Sequence, residues 1–77
     1  MRDGFTEYYK MLGLKVAYYR KLKGLTQERL AELMDVDTSF IGQIEAPNIQ
    51  KAISMNTLFR TSKALEIPPY KLLQFDT

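Results

Sequence analysis

Between residues 6 and 23, Leu12, Val16 and Tyr19 recur at i, i+4 and i+7, the spacing that lines one face of an α-helix. Lys15 and Lys21 fall off that stripe, so the pattern predicts a first helix over about residues 6–23, capped by Thr6 or Asp3. Gly24 follows at C′, where a left-handed backbone costs glycine little. Leu30, Ala31 and Met34 share a face of a second helix, residues 27–34, with Thr26 at its N-cap and Arg29 at N3. A polar break, Asp35-Val36-Asp37, precedes a third helix over residues 38–45, with Asp37 as its N-cap. There Ile41 and Ile44 point inward and Thr38, Ser39 and Gln43 outward. Two short helices so joined cross steeply, and their axes approach only where a side chain is small, as at Ala31.

Pro47 disfavours helix at the residue before it, so Ala46-Pro47-Asn48 ends the third helix and residues 48–53 read as a loop. Ser54 then caps a fourth helix over residues 55–65, with Leu58, Thr61 or Ser62, and Leu65 inward. Ile67-Pro68-Pro69 turns the chain, and Pro69 suits N1 of a short last helix bearing Tyr70, Leu72, Leu73 and Phe75. No segment combines strict alternation with β-branched enrichment, so the expected fold is all-α.

Seventy-seven residues make one domain, spanning 1–77, in which every periodic apolar residue must join the same small core. Without cysteine the chain has neither disulfides nor thiolate metal sites, which fits a reducing compartment, here the cytoplasm. No apolar run approaches membrane-spanning length, and no secretory signal is visible. The absence of histidine removes the commonest general base and nitrogen metal ligand. Glu28 and Glu32 at i, i+4 could meet a cation but read as a solvated helix face, and no carboxylate is paired with a nucleophile. The expectation is therefore no enzyme, no cofactor, no metal and no small-molecule ligand. Tyr8, Tyr9, Tyr18 and Tyr19 could stack on bases, but are read as amphipathic cover for the core.

Charge is unevenly placed. Lys10, Lys15, Arg20, Lys21, Lys23 and Arg29 crowd the first third, and Lys51, Arg60, Lys63 and Lys71 follow later. From Leu30 to Gln50 there is no Lys or Arg, so any basic footprint for nucleic acid must come from elements flanking the third helix.

Residues 12–75 resemble the helix-turn-helix domain of the phage repressor and Cro type, also called the xenobiotic-response-element type. The matching positions are Leu12, Val16, Arg20, Gly24-Leu25-Thr26-Gln27, Leu30-Ala31, Val36, Ile41, Ile44-Glu45, Ala64, Leu65 and Ile67. The resemblance implies a compact five-helix, lambda-repressor-like domain with a central helix-turn-helix at about 27–46. It further implies a homodimer that binds double-stranded DNA at an inverted repeat. By position, Gln27 would hydrogen-bond a phosphate and brace the reading helix, and Thr38, Ser39 and Gln43 would meet base edges. Asp37 would cap that helix or accept from cytosine. Phe40 would either reach the DNA backbone or a thymine methyl, or pack against the following loop. Asn48, Gln50 and Lys51 occupy the loop that grips phosphate in the family. Arg20 and Glu45 would form a structural ion pair joining the first helix to the end of the third. Two departures stand out: Asp35 replaces the usual glycine of the turn, and Ala46-Pro47-Asn48 replaces a glycine-and-basic turn. With no Arg, the commonest reader of guanine, on the reading helix, an A/T-leaning site is expected.

The sequence therefore predicts a sequence-specific DNA-binding transcriptional regulator. The alternative is a protein-interaction or antitoxin-like module on the same fold, suggested by the acidic stretch from Leu30 to Gln50.

Overall fold

The computed structural model describes residues 5–46 and 52–75. Along them run α1 (Thr6–Leu22), α2 (Gln27–Met34), α3 (Thr38–Glu45), α4 (Met55–Leu65) and a closing 3₁₀ helix (Pro69–Leu73). The fifth element takes the tighter 3₁₀ form, with Pro69 in its first turn and the Lys71 amide donating to the Pro68 carbonyl at 3.1 Å. None of the described helices is long and apolar enough to cross a membrane.

Side-chain caps begin two of the helices. Thr26 Oγ1 accepts from the Arg29 amide at 3.0 Å, and Ser54 Oγ accepts from the Thr57 amide at 3.1 Å. α1 begins otherwise. Its N-cap position is Phe5, so Thr6 is already helical, and Asp3 lies outside the described residues. Asp37 does stand at the N-cap of α3 with extended backbone, but its side chain makes no capping hydrogen bond.

Three helix ends share one device. After α1 the Gly24 amide donates to Lys21 and the Leu25 amide to Arg20, each at 3.0 Å, with Gly24 at φ 73°. The same pair of bonds follows α2, where Asp35 is left-handed at φ 58°, and α4, where Glu66 is left-handed at φ 58°. Two of these positions therefore hold a residue with a Cβ in a region that costs it energy.

The buried apolar core is Leu12 and Val16 from α1, Leu30, Ala31 and Met34 from α2, Ile41 and Ile44 from α3, Leu58 and Leu65 from α4, and Leu72. Thr61 and Ser62 are also buried, and their hydroxyls donate to the α4 carbonyls of Thr57 and Phe59 at 2.7 and 2.9 Å. Tyr19, expected on the inner stripe of α1, is half-buried and packs at the edge of this core. Leu72, fully buried, holds the 3₁₀ helix against α1 and α4.

Gly13 fixes the distance between α1 and α3. A Cβ added there would stand 2.1 Å from the Ile44 carbonyl oxygen, inside any allowed contact. Ala31 serves the α2–α3 corner, buried beneath the turn whose Val36 amide donates to the Ala31 carbonyl at 3.0 Å. Small residues thus act at two places, and α3 is clamped by both.

Candidate nucleic-acid interface

α3 is short, and it needs outside support to hold any set of side chains still. Ile41 and Ile44 anchor it from below. Its far end is gripped by Glu45, whose Oε2 accepts from Arg20 Nε at 2.8 Å and whose Oε1 accepts from Arg20 Nη2 at 3.0 Å. Such a two-pronged pair fixes direction as well as distance. Arg20 Nη1 also donates to the Leu25 carbonyl at 2.8 Å, so one buried side chain ties together α1, the α1–α2 turn and α3. The hydrogen bonds to Glu45 raise the guanidinium above its ordinary pKa, against the burial that lowers it.

Gln27, the first residue of α2, donates from Nε2 to Glu45 Oε1 at 2.9 Å. Its side chain therefore lies between α2 and the end of α3, half-buried, with its carbonyl oxygen beside Gly42. Thr38, Ser39 and Gln43 are all exposed on the outer side of α3. Gly42 falls among them on the helical wheel, so the centre of this face carries no side chain at all.

Asp37 is exposed at the edge of the same face, its carboxylate engaged in no capping bond. The cap expectation for that side chain is therefore corrected: the backbone turn, with the Phe40 amide on the Asp37 carbonyl at 3.0 Å, starts α3. Phe40 is half-buried and packs against the core. Asn48, Gln50 and Lys51 lie outside the described residues. One neighbour escaped the sequence reading. Thr57, in the first turn of α4, lines a shallow groove of 380 Å³ with Val36, Asp37, Ser39, Phe40 and Gln43. Only the Ser54 cap marks it in the sequence, and that signal speaks of helix initiation, not of nearness to α3.

Arg29, the one base on α2, is paired with Glu32 a turn further on. Both partners are exposed, so the bond is weak and the guanidinium can exchange it for a phosphate.

Comparison with known proteins gives these features a family. The sequence pattern of the helix-turn-helix family matches residues 16–72, which hold α2, α3 and α4 entire. The chain belongs to that family. It is a DNA-binding transcription regulator of the helix-turn-helix kind, whose members are regulators and not enzymes. Control protein C.SmaI of Serratia marcescens is 32% identical over 69 residues, covering 90% of this chain and 80% of that protein. Among solved structures, the restriction-modification controller protein C.AhdI from Aeromonas hydrophila superposes with a TM-score of 0.82 at 30% identity, over 90% of this chain and 97% of its own. A point mutant of the restriction-modification controller protein C.Esp1396I gives a TM-score of 0.76 at 28% identity, over 86% of this chain and 89% of that one.

Proposed function

We propose that this protein is a controller-type regulator that reads a two-fold operator as a homodimer, with one α3 in each major groove. The observation that carries the reading is the outer face of α3. Thr38, Ser39 and Gln43 are exposed on a helix whose far end is locked by the buried Arg20–Glu45 pair and by Gln27. Rigid presentation matters because a base-edge hydrogen bond discriminates only if the side chain cannot move to suit the wrong base.

In this arrangement Gln43 makes a bidentate pair with adenine, and the hydroxyls of Thr38 and Ser39 meet neighbouring base edges. The uncapped Asp37 carboxylate accepts from a cytosine N4 amine where one lies within reach. Gln27 uses its remaining amide proton on phosphate, and Asn48 and Lys51 extend the backbone grip. Phe40 adds its ring edge to a thymine methyl while keeping its place against the core. On and just after the 3₁₀ helix, Tyr70 and Leu73 are exposed and Phe75 is half-buried, and they supply the contact between two copies. By analogy with C.AhdI and C.Esp1396I, the regulated genes are those of a restriction-modification system in the cytoplasm.

Selection of bound duplexes from a random pool tests the reading. The expected product is a pair of inverted half-sites with centres roughly 34–36 Å apart, or a multiple of that spacing. Gln43→Ala should cost about 1–3 kcal/mol on the selected duplex and relax one position per half-site. A pool that never converges, while the folded chain holds a protein partner tightly, would restore the interaction-module alternative.

A further inference from the structure

On the side of α1 turned away from the core, Leu14, Tyr18 and Leu22 are 57%, 57% and 64% exposed. A step of four residues advances a helix by little more than one turn, so the three stack into a single stripe. Buried Val16 and Arg20 alternate with them in sequence and occupy the opposite face. A helix packed on one side only would ordinarily show charge on its outer side, whereas α1 shows leucine and tyrosine there.

Two features define what would cover the stripe. Lys15 lies along one flank and Lys21 along the other, and residues 11–22 contain no Asp or Glu. Neither lysine has an ion-pair partner among the described residues. The second feature is rigidity. Tyr18 meets Tyr19 edge to face, with centroids 5.0 Å apart, and Tyr19 packs on the core, so the exposed ring is held before anything binds. Beside it, Met11, Leu14 and Phe75 edge a shallow groove of 440 Å³.

We propose that this face docks a partner protein through an acidic amphipathic helix, whose apolar side covers Leu14, Tyr18 and Leu22 while its carboxylates meet Lys15 and Lys21. A second copy is the poorer occupant, because a two-fold contact of the patch with itself sets lysines against lysines. A duplex is excluded by placement. The inner face of α1 carries Gly13 and Arg20 against Ile44 and Glu45, so the body of α1 stands between the stripe and α3. Partner and duplex then bind together, and that last point rests on the DNA-binding reading, whereas the docking itself does not.

The test uses the whole chain, free and again loaded with its selected duplex, and two labelled helical peptides of equal length. The peptides share one leucine face and carry glutamate or lysine along its flanks. Fluorescence anisotropy should show the glutamate peptide binding roughly tenfold or more tightly than the lysine peptide, with and without duplex. The Lys15→Glu, Lys21→Glu variant should reverse that preference, and Leu14→Ser, Tyr18→Ser should abolish both complexes while the chain still melts cooperatively, at a temperature lowered by the lost Tyr18–Tyr19 contact, and duplex affinity stays unchanged. Equal binding of the two peptides, no saturable binding, or displacement by duplex would overturn the proposal. So would conversion of a dimer to a monomer by Leu14→Ser, Tyr18→Ser, which would make a second copy the occupant. A wild-type chain that binds the peptide but no duplex would defeat the operator reading and leave the docking face standing.

Discussion

At residue 13 an added methyl group would meet the Ile44 carbonyl oxygen at 2.1 Å, and the opposing atom belongs to helix backbone that cannot rotate away. Gly13→Ala must therefore separate α1 from α3, an overpacking that costs about 1–3 kcal/mol or somewhat more. In a domain of this size that is a fall of roughly 4–8 °C in Tm for each kcal/mol, readable by thermal circular dichroism. The same substitution at Gly42 has the opposite sign. There the nearest atom outside the helix is Gln27 Oε1 at 3.9 Å, an ordinary contact, and the helix loses an entropic penalty. Gly42→Ala should stabilise by about 0.5–1 kcal/mol, yet weaken duplex binding by placing a methyl between Thr38 and Gln43. Stability and affinity would then move in opposite directions in one variant. The left-handed residues give a second contrast. Asp35 and Glu66 share φ 58°, but a short side chain that can bond locally tolerates that region better than a glutamate does. Glu66→Gly should therefore stabilise the fold more than Asp35→Gly, each by less than about 1–2 kcal/mol because glycine also gains freedom in the unfolded chain, and the order is read from the two melting temperatures.

Between elements, the decisive bond is Arg20–Glu45, with both side chains almost wholly removed from solvent. Glu45→Ala leaves the guanidinium buried and short of its two best acceptors, and should cost about 3–5 kcal/mol in a urea titration. A joint Arg20→Met, Glu45→Leu replacement should cost far less than the two single losses added, because no charge then remains unpaired. If the double variant is as unstable as that sum, the pair is not acting as a unit. Much of this level was open to the sequence, since helix boundaries are written in local chemistry. Thr26, Ser54 and Gly24 stop and start their helices through bonds to atoms within a few residues, and periodicity alone assigns Leu30, Ile41, Ile44 and Leu65 to the inside. What escaped depends on how near two helices come. Gly13 looks like any helical glycine until Ile44 is placed above it, and Thr57 looks like a capping partner until α4 is laid beside α3. Asp37 failed as a side-chain cap for a related reason, because its sequence position shows only that the backbone turns there.

For the molecule as a whole, the question is how a domain this small gains enough selectivity, since one α3 presents few groups to the bases. Doubling the reading surface requires a second copy, and in the homodimer proposed above the exposed Tyr70 and Leu73 would receive it. Leu73 is 47% exposed beside the fully buried Leu72, so a charge at residue 73 should spare the core while opposing burial in a dimer. Leu73→Glu should accordingly melt within a few degrees of the parent and sediment as a monomer where the parent is a dimer. Its binding should then separate two contributions. On the full operator the variant loses affinity steeply, because a monomer forfeits the second set of phosphate and base contacts; on an isolated half-site it matches the parent monomer. The salt dependence provides an independent check. The slope of log K against log salt is about −0.9 times the number of phosphates neutralised, so it should be halved for the variant if each copy makes equal contacts. An unchanged slope together with an unchanged sedimentation profile would show that the copies meet elsewhere, whereas an unchanged slope in a proven monomer would show that one protomer carries the whole electrostatic footprint.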